Sequence, residues 1–281
     1  MGYIDFMGVL QMKRDNRLIL FDTSVLKDEE VFLKFYEKMP KERKKKIDTL
    51  KPEGSKRLCL GAGILLDMAV RDYLSENSKD VYQPDNTQLP SPFDHEILTS
   101  PQGKPYIKDM EDFFFNLSHS GDMAVIAVSD REVGVDIQKL KHFNDSLVDH
   151  VFNKEDLKLA AELAEELADA SSSSNTAGAG DSSFDQVYTR MWSMKESVMK
   201  HTGKGLSLDP KVITLKRAQV NEHAAGAQTC TIVAYIDSRE YSARRLFIQE
   251  YDTLQGQDTF YGISVCTEYE AFTKEPEIVR L

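Results

Sequence analysis

Three short segments of this 281-residue chain carry side chains that could perform chemistry together. They are FNLSHSG at residues 115–121, GVDIQ at residues 134–138 and WSMKESVMKHTGKGL at residues 192–206. They supply a serine and a histidine before a glycine turn, an aspartate in a strand-like stretch, and a glutamate with lysines in a helix-like stretch. Two acids able to hold a divalent metal, flanked by cations able to hold phosphates, suit the transfer of a phosphate-linked group.

Each acid also has an ordinary structural interpretation when it is considered alone. Asp136 lies between the apolar residues Val135 and Ile137, so strand alternation directs it away from both, either to solvent or to a cation. Glu196 and Lys200 have the four-residue spacing of a common helix ion pair. A catalytic role therefore requires that the fold bring Asp136 and Glu196 together.

Ser118 and His119 do not fit nucleophilic catalysis, because no G-x-S-x-G elbow is present and adjacent residues on a strand would not face each other. Their hydroxyl and imidazole groups suit binding of phosphate oxygens, although His119 could equally be structural. Lys104 stands between Gly103 and Pro105, an arrangement that could fix its amine near an anion.

Composition limits the class of protein. Apolar content of 41% and charged content of 29% are typical of a soluble globular chain. There is no apolar run of about 18 residues and no signal-like N-terminus, so we expect a cytoplasmic protein without membrane contact. Three widely spaced cysteines form neither a metal-ligand pattern nor a disulfide framework.

Charge is distributed unevenly along the chain. The net charge of −11 argues against nucleic-acid binding. Residues 38–57 nevertheless hold nine Lys and Arg against three Asp and Glu, whereas residues 154–186 hold eight acids against two lysines. The basic stretch indicates either a local anionic ligand, such as a polyphosphate or an acidic partner, or simply a solvated helix face.

The predicted elements mix helices with strands that have mainly short links, which favours an α+β fold over a doubly wound sheet. Helices are predicted at 28–39, 57–74, 157–167 and 186–200, the last ended by Gly203 or Gly205. Strands are predicted at 3–9, 18–21, 113–117, 123–129, 133–137, 212–215, 229–236, 245–251 and 260–266. The short link at 130–132 predicts a hairpin that brings Asp136 near His119, and residues 77–112 are predicted to be loop-rich. Residues 171–183 are predicted to be a mobile insertion without a catalytic role.

Taken in order, GKP at 103–105 and the three segments above resemble the 4′-phosphopantetheinyl transferase superfamily, Sfp type. The resemblance covers roughly residues 1–265, and residues 192–206 are its most specific part. It implies Mg²⁺-dependent transfer of phosphopantetheine from coenzyme A to a serine of an acyl, peptidyl or aryl carrier protein. It also implies two similar subdomains related by a pseudo-twofold, 1–131 and 132–281, with coenzyme A in the cleft between them, in a monomer.

The resemblance also implies roles for individual residues. Asp136 and Glu196 would be metal ligands, Lys200 would face the diphosphate, and Glu196 would be the candidate base for the carrier serine. The residues implied to hold coenzyme A phosphates are Lys45, Arg57, Lys104, Ser118 and His119. Gln138 departs from the pattern because many members have glutamate there; an amide can coordinate a metal through its oxygen or through water but cannot accept a proton as a base.

Two other functions fit the same residues. One is a module that binds coenzyme A or carriers without catalysis, although such a binder has no need of the acid pair. The other is a different Mg²⁺-dependent phosphotransferase acting on a nucleotide.

Overall fold

The structure is a computed structural model that describes residues 16–77, 96–172, 181–218, 232–238, 241–251, 259–269, 272–273 and 275–279. Its helices are α1 (Glu29–Tyr36), α2 (Lys41–Thr49), α3 (Glu53–Asn77), α4 (Asp145–Val151), α5 (Lys154–Ser172) and α6 (Asp181–His201). Its strands are β1 (Arg17–Asp22), β2 (Ile97–Thr99), β3 (Pro105–Ile107), β4 (Phe114–Ser120), β5 (Met123–Ser129), β6 (Gly134–Lys139), β7 (Ile213–Arg217), β8 (Ile232–Ser238), β9 (Tyr241–Tyr251), β10 (Tyr261–Thr267) and β11 (Glu277–Val279). This mixture of helices and strands agrees with the predicted α+β class.

The first sheet has the strand order β11-β1-β5-β4 and is covered on one face by α3. Only the β1–β11 pair is parallel. Two glycines within α3 have a packing reason, because a Cβ at Gly61 would lie 2.5 Å from Thr23 Cγ2 and one at Gly63 would lie 2.8 Å from Met39 Sδ. The two glycines let other elements approach the helix closely.

The second sheet is antiparallel with the order β6-β10-β9-β8-β7, and it contains the described late strands of the chain. Helices α5 and α6 bury their apolar faces on it, and Trp192 packs against the edge of that core. The predicted end of α6 is also confirmed. The helix stops at His201, and Gly203 follows with a φ of 73°, a left-handed conformation that glycine adopts without steric cost.

One predicted pairing is wrong. Strand β6 does not form a hairpin with β5, although only four residues separate them. Instead β5 lies between β1 and β4, and β6 leaves to become the edge strand of the second sheet beside β10. The two sheets face each other across a shared apolar cluster, in which Val135 and Ile137 of β6 contact the layer containing Leu20 and Val125. Burial of both faces of β6 outweighed the preference for a local hairpin.

Two other predictions need revision. Within 171–183, Ser171 and Ser172 complete α5 and residues 181–183 begin α6, so helix continues into both ends of the predicted insertion. Within 77–112, residues 97–107 form the β2–β3 hairpin. The predicted strand at 3–9 and Cys230 lie outside the described residues, whereas Cys59 and Cys266 are buried. Among the described helices, none combines the length and apolarity needed to cross a lipid bilayer.

Candidate active site

Strands β4 and β6 belong to different sheets, and polar side chains join them. Alternate residues of β4 accept hydrogen bonds from alternate backbone N–H groups of β6: Asn116 from Val135 at 3.0 Å, Ser118 from Ile137 at 3.4 Å and Ser120 from Lys139 at 3.0 Å. The strands therefore run side by side without a backbone ladder. The FNLSHSG segment thus fixes the position of the strand that carries Asp136.

Asp136 points away from the apolar cluster and into this junction. Its carboxylate is 2% exposed, so the solvent-facing alternative is excluded. Oδ1 accepts hydrogen bonds from Ser118 Oγ at 2.8 Å and from Lys200 Nζ at 2.6 Å. Lys200 also donates to Ser118 Oγ at 2.7 Å. The Asp136 carboxylate is therefore directed at a cation, the Lys200 ammonium group, and not at solvent.

Glu196 reaches the same place from α6. The helix lies directly on β6, because a Cβ at Gly134 would overlap the backbone of Ser197 and His201, and Ser193 Oγ donates to the Asp136 carbonyl oxygen at 3.1 Å. Glu196 Oε2 lies 4.0 Å from Lys200 Nζ. Both carboxylates are thus within 4.0 Å of one ammonium group, although sixty positions separate them in the sequence.

The electrostatics of this pair are those of a cation site. Burial, and then the neighbouring Asp136 carboxylate, raise the pKa of Glu196 to about 7, while Lys200 opposes the shift. Asp136 Oδ2 is buried and receives no hydrogen bond from the described residues. Such an atom is costly unless something else satisfies it. Two carboxylates, one of them with an unsatisfied oxygen, fit Mg²⁺, which takes oxygen ligands and is often held by one or two carboxylates together with substrate phosphates. No cluster of three or more His, Cys, Asp or Glu suited to a metal occurs in the described part of the chain.

Gln138 lies two residues beyond Asp136 on the same face of β6. Its Nε2 donates to the Lys139 carbonyl oxygen at 3.0 Å and to Ser120 Oγ at 3.3 Å. The amide nitrogen therefore helps to hold the β4–β6 junction. A glutamate at this position could not make those donations unless it were protonated.

The predicted phosphate ligands fall into two groups. On the α2 and α3 side, Lys45 is exposed, while Arg57 lies 3.7 Å from Asp122 and has a buried Nε without a partner among the described residues. His119 is on this side as well. Desolvation of the ring, then Lys200 and Lys46, lower the pKa of His119. Lys46 is thus a further cation near His119, and the run of lysines was its only sequence signal.

Ser118 and Lys104 are occupied by protein groups. Ser118 is buried against Asp136, so in this structure it positions the acid. Lys104 pairs with Glu132 and donates at 2.9 Å to the carbonyl oxygen of Val133, the residue that precedes β6. It lines a cavity of about 430 Å³. At the wall of that cavity lies His201, which is 4% exposed and whose ring nitrogens have no hydrogen-bond partner among the described residues.

Other contributors were not recognised from the sequence. Asn116, Ser120 and Ser193 act on the backbone of β6, and a side chain that holds a backbone group leaves no distinctive spacing. His201 follows Lys200 directly, and it lines the same cavity as residues of the β2–β3 hairpin and of β9. The contacts of these residues depend on how the two sheets and α6 pack against each other, which the sequence pattern does not indicate.

Comparison with known proteins bears on the same segments. Residues 132–254 match the model of the 4′-phosphopantetheinyl transferase superfamily. Over 169 residues the chain is 32% identical to the 4′-phosphopantetheinyl transferase Sfp of Bacillus subtilis strain 168, covering 60% of this chain and 62% of that protein. It is 27% identical over 181 residues to the transferase psf-1 of Bacillus pumilus, covering 64% of each. The transferase HetI of Nostoc is 28% identical over 162 residues, with coverage of 56% and 55%. The chain thus spans less than two thirds of the length of these relatives, and the matches confirm the resemblance inferred from its motifs.

Proposed function

We propose that this chain, whose residues 132–254 match the model of the 4′-phosphopantetheinyl transferase superfamily, transfers phosphopantetheine from coenzyme A to a serine hydroxyl of a carrier protein. The observation that carries the proposal is the meeting of Asp136 and Glu196 at Lys200, with Asp136 Oδ2 buried and unsatisfied among the described residues. A pair of crowded carboxylates is unfavourable in a resting protein unless a cation joins them.

Mg²⁺ is the cation that this donor set fits. Asp136 and Glu196 would hold it, and Gln138 would contribute its amide oxygen directly or through water. When bound, the ion would neutralise charge on the coenzyme A diphosphate. The remaining roles belong to the protein's own side chains.

Lys200 would contact the diphosphate, since its ammonium group already lies between the two acids. His119, Lys45 and Arg57 would hold the other phosphates from the α2 and α3 side. Lys104 and Ser118 complete the proposed set, although each would have to exchange or share its present protein partner. These contacts favour ground and transition states alike, so their loss should mainly raise the KM for coenzyme A.

Glu196 would act as the base, itself or through a water that it orients. The carrier serine oxygen bonds to the pantetheine-bearing phosphorus, and its proton passes to Glu196. The bond from that phosphorus to the bridging diphosphate oxygen breaks, and its electron pair leaves with adenosine 3′,5′-bisphosphate. Lys200 would stabilise the charge that develops on this oxygen.

We propose the architecture of the family for the whole chain: subdomains 1–131 and 132–281 related by a pseudo-twofold, with coenzyme A between them in a cytoplasmic monomer. In support, each sheet carries a long helix on one face, α3 on the first sheet and α6, together with α5, on the second. Strand β11 is the exception to this division, because it pairs with β1 of the first sheet.

The test is incubation of the protein with coenzyme A, Mg²⁺ and a panel of acyl and peptidyl carriers, followed by mass spectrometry. We expect an addition of roughly 340 Da, the phosphopantetheine group, that disappears when Mg²⁺ is chelated. Binding of coenzyme A without any addition to the panel would favour the non-catalytic module. Thermal stabilisation by ATP and not by coenzyme A would favour a nucleotide phosphotransferase.

A further inference from the structure

Lys195, the neighbour of Glu196, is a fully buried charged residue that the proposed mechanism does not use. Its side chain and that of Asp156 on α5 are both 0% exposed, and Lys195 Nζ lies 2.6 Å from Asp156 Oδ2. The same ammonium group donates to the carbonyl oxygens of Pro210 at 2.8 Å and Ile213 at 2.6 Å. All three of its protons therefore have acceptors, which is what a buried lysine requires.

The acceptors of Lys195 are themselves fixed. Asp156 accepts from the backbone N–H groups of Leu215 at 2.9 Å and Asn153 at 2.8 Å. Asn153 Nδ2 donates to the carbonyl oxygens of Lys211 at 3.1 Å and Ile213 at 3.3 Å. One buried network thus ties α6 to the start of α5 and to the segment leading into β7. Hydrogen bonds in such a network have defined directions, unlike the apolar contacts around them.

This network holds the side of α6 that faces away from the acid pair. At 3.6 residues per turn, Glu196 lies about 100° and Lys200 about 140° around the helix from Lys195. The other side of the helix rests on β6 at Gly134 and through Ser193. Contacts on both sides therefore limit the rotation of α6 about its own axis. A carboxylate about 5–6 Å from that axis moves by about 1 Å for each 10° of rotation.

We propose that Lys195 is a positioning residue, which sets the rotation of α6 so that Glu196 faces Asp136 at the distance a magnesium ion requires. The inference rests on the proposed function, because it concerns the same metal centre. Supporting groups outside the ligand shell typically change metal affinity by about 10- to 100-fold when removed. A misplacement of about 1 Å can cost roughly 10²-fold in turnover.

The decisive variant is the double substitution Lys195→Met and Asp156→Asn. It removes both charges together, so that neither is left buried and unpaired, and it retains an amide oxygen for the N–H group of Leu215. We expect the variant to fold with a cooperative thermal transition. We expect its affinity for Mn²⁺, titrated by electron paramagnetic resonance without coenzyme A, to fall by about 10-fold or more. The kcat should fall by roughly 10²-fold, with little change in the KM for coenzyme A.

Two further variants complete the test. Asn153→Ala weakens the network but keeps both charges, so it should reduce Mn²⁺ affinity by a smaller factor than the double variant. If the double variant does not fold, this single variant tests whether the network positions Glu196. Lys158→Met removes an exposed lysine of α5 that pairs with Glu155 at 2.7 Å and should change neither Mn²⁺ binding nor turnover.

The results of these experiments distinguish the positioning role of Lys195 from the proposed transferase function. A folded double variant, or Asn153→Ala, with wild-type Mn²⁺ affinity and kcat would show that Lys195 only stabilises the fold. A wild-type protein that binds Mn²⁺ but modifies no carrier would contradict the transferase proposal alone, because the positioning role would still be read from Mn²⁺ affinity. A wild-type protein that binds no Mn²⁺ would contradict both.

Discussion

At the scale of single residues, Asp136 and Glu196 acquire their properties from each other. Neither has an unusual sequence context, and each is compatible with an ordinary structural role. Placed beside the same ammonium group in a buried junction, they become two like charges with one fixed cation between them. The raised pKa of Glu196 follows from that crowding and from burial.

Replacing Glu196 with glutamine should therefore separate catalysis from folding. We expect kcat to fall by about 10²-fold or more because the base is lost, while the KM for coenzyme A changes little. The melting temperature of the metal-free protein should stay the same or rise, because one of two crowded charges is removed. Steady-state kinetics with a carrier and thermal unfolding in a chelator measure both effects.

Two further variants serve as comparisons for Glu196→Gln. Glu155→Gln removes an exposed glutamate and should behave as wild type. Asp136→Ala should abolish carrier modification with the fold intact. Near wild-type modification in Asp136→Ala or Glu196→Gln would contradict the proposed metal centre.

Gln138 tests the one departure from the family's pattern. Gln138→Glu should preserve activity and tighten Mn²⁺ or Mg²⁺ binding, since a third carboxylate joins the site. Calorimetric titration of the metal, together with turnover, is the measurement. Complete loss of turnover would instead mean that the amide's donation to Ser120 is required.

At the scale of elements, the junction of β4, β6 and α6 determines the site. Strand β4 fixes β6 through side-chain oxygens, and α6 rests on β6 where Gly134 has no side chain. The relative position of Asp136 and Glu196 therefore depends on the β4–β6 hydrogen bonds and on the packing of α6 against β6. Substitutions that separate the elements should therefore affect metal binding even when they are distant from the carboxylates.

Gly134→Ala is such a substitution. The new Cβ would overlap the backbone of Ser197 and His201, which cannot move aside as a flexible side chain would. We expect a loss of about 1–3 kcal/mol in the free energy of unfolding, as for other overpacked sites, and weaker Mn²⁺ binding. Urea unfolding and metal titration measure the two effects. Gly54→Ala is the matched control, because its Cβ would meet nothing closer than 3.7 Å; equal losses in both variants would contradict the role of the close approach.

At the scale of the whole molecule, two buried groups give the metal-free protein opposing pH dependences. Burial, aided by Lys104 and Arg244, lowers the pKa of His201 from 6.5 to about 3, so between these values the unfolded chain binds more protons and stability rises with pH. Glu196 has its pKa raised from 4.5 to about 7, so the folded chain binds more protons and stability falls as pH rises. Between pH 4.5 and 6.5 the two effects oppose each other.

His201→Gln should remove the contribution of His201 and leave that of Glu196. The stability of this variant relative to wild type should rise as pH falls from 6.5 to 4.5, by up to about 1.4 kcal/mol per pH unit. Urea unfolding of both proteins in a chelator at several pH values gives this difference. A difference that does not change with pH would mean that His201 takes up a proton in the folded state as easily as in the unfolded chain.

Local features could be predicted from the sequence because their causes are local. The helical periodicity of 186–200, the glycine that ends it, and the alternation that turns Asp136 away from Val135 and Ile137 all depend on neighbouring residues. The motif order also predicted the resemblance to the superfamily whose model matches residues 132–254. From the sequence alone, the approach of Glu196 to Asp136 was only an expectation.

Only the tertiary structure decided where β6 pairs, and with it most of the site. A four-residue link favoured a β5–β6 hairpin, but burying both faces of β6 placed it in the other sheet. That exchange placed Ser118 of β4 against Asp136 of β6. Long-range packing leaves no periodicity in the chain, because the groups that it joins are distant in sequence and adjacent only in the fold.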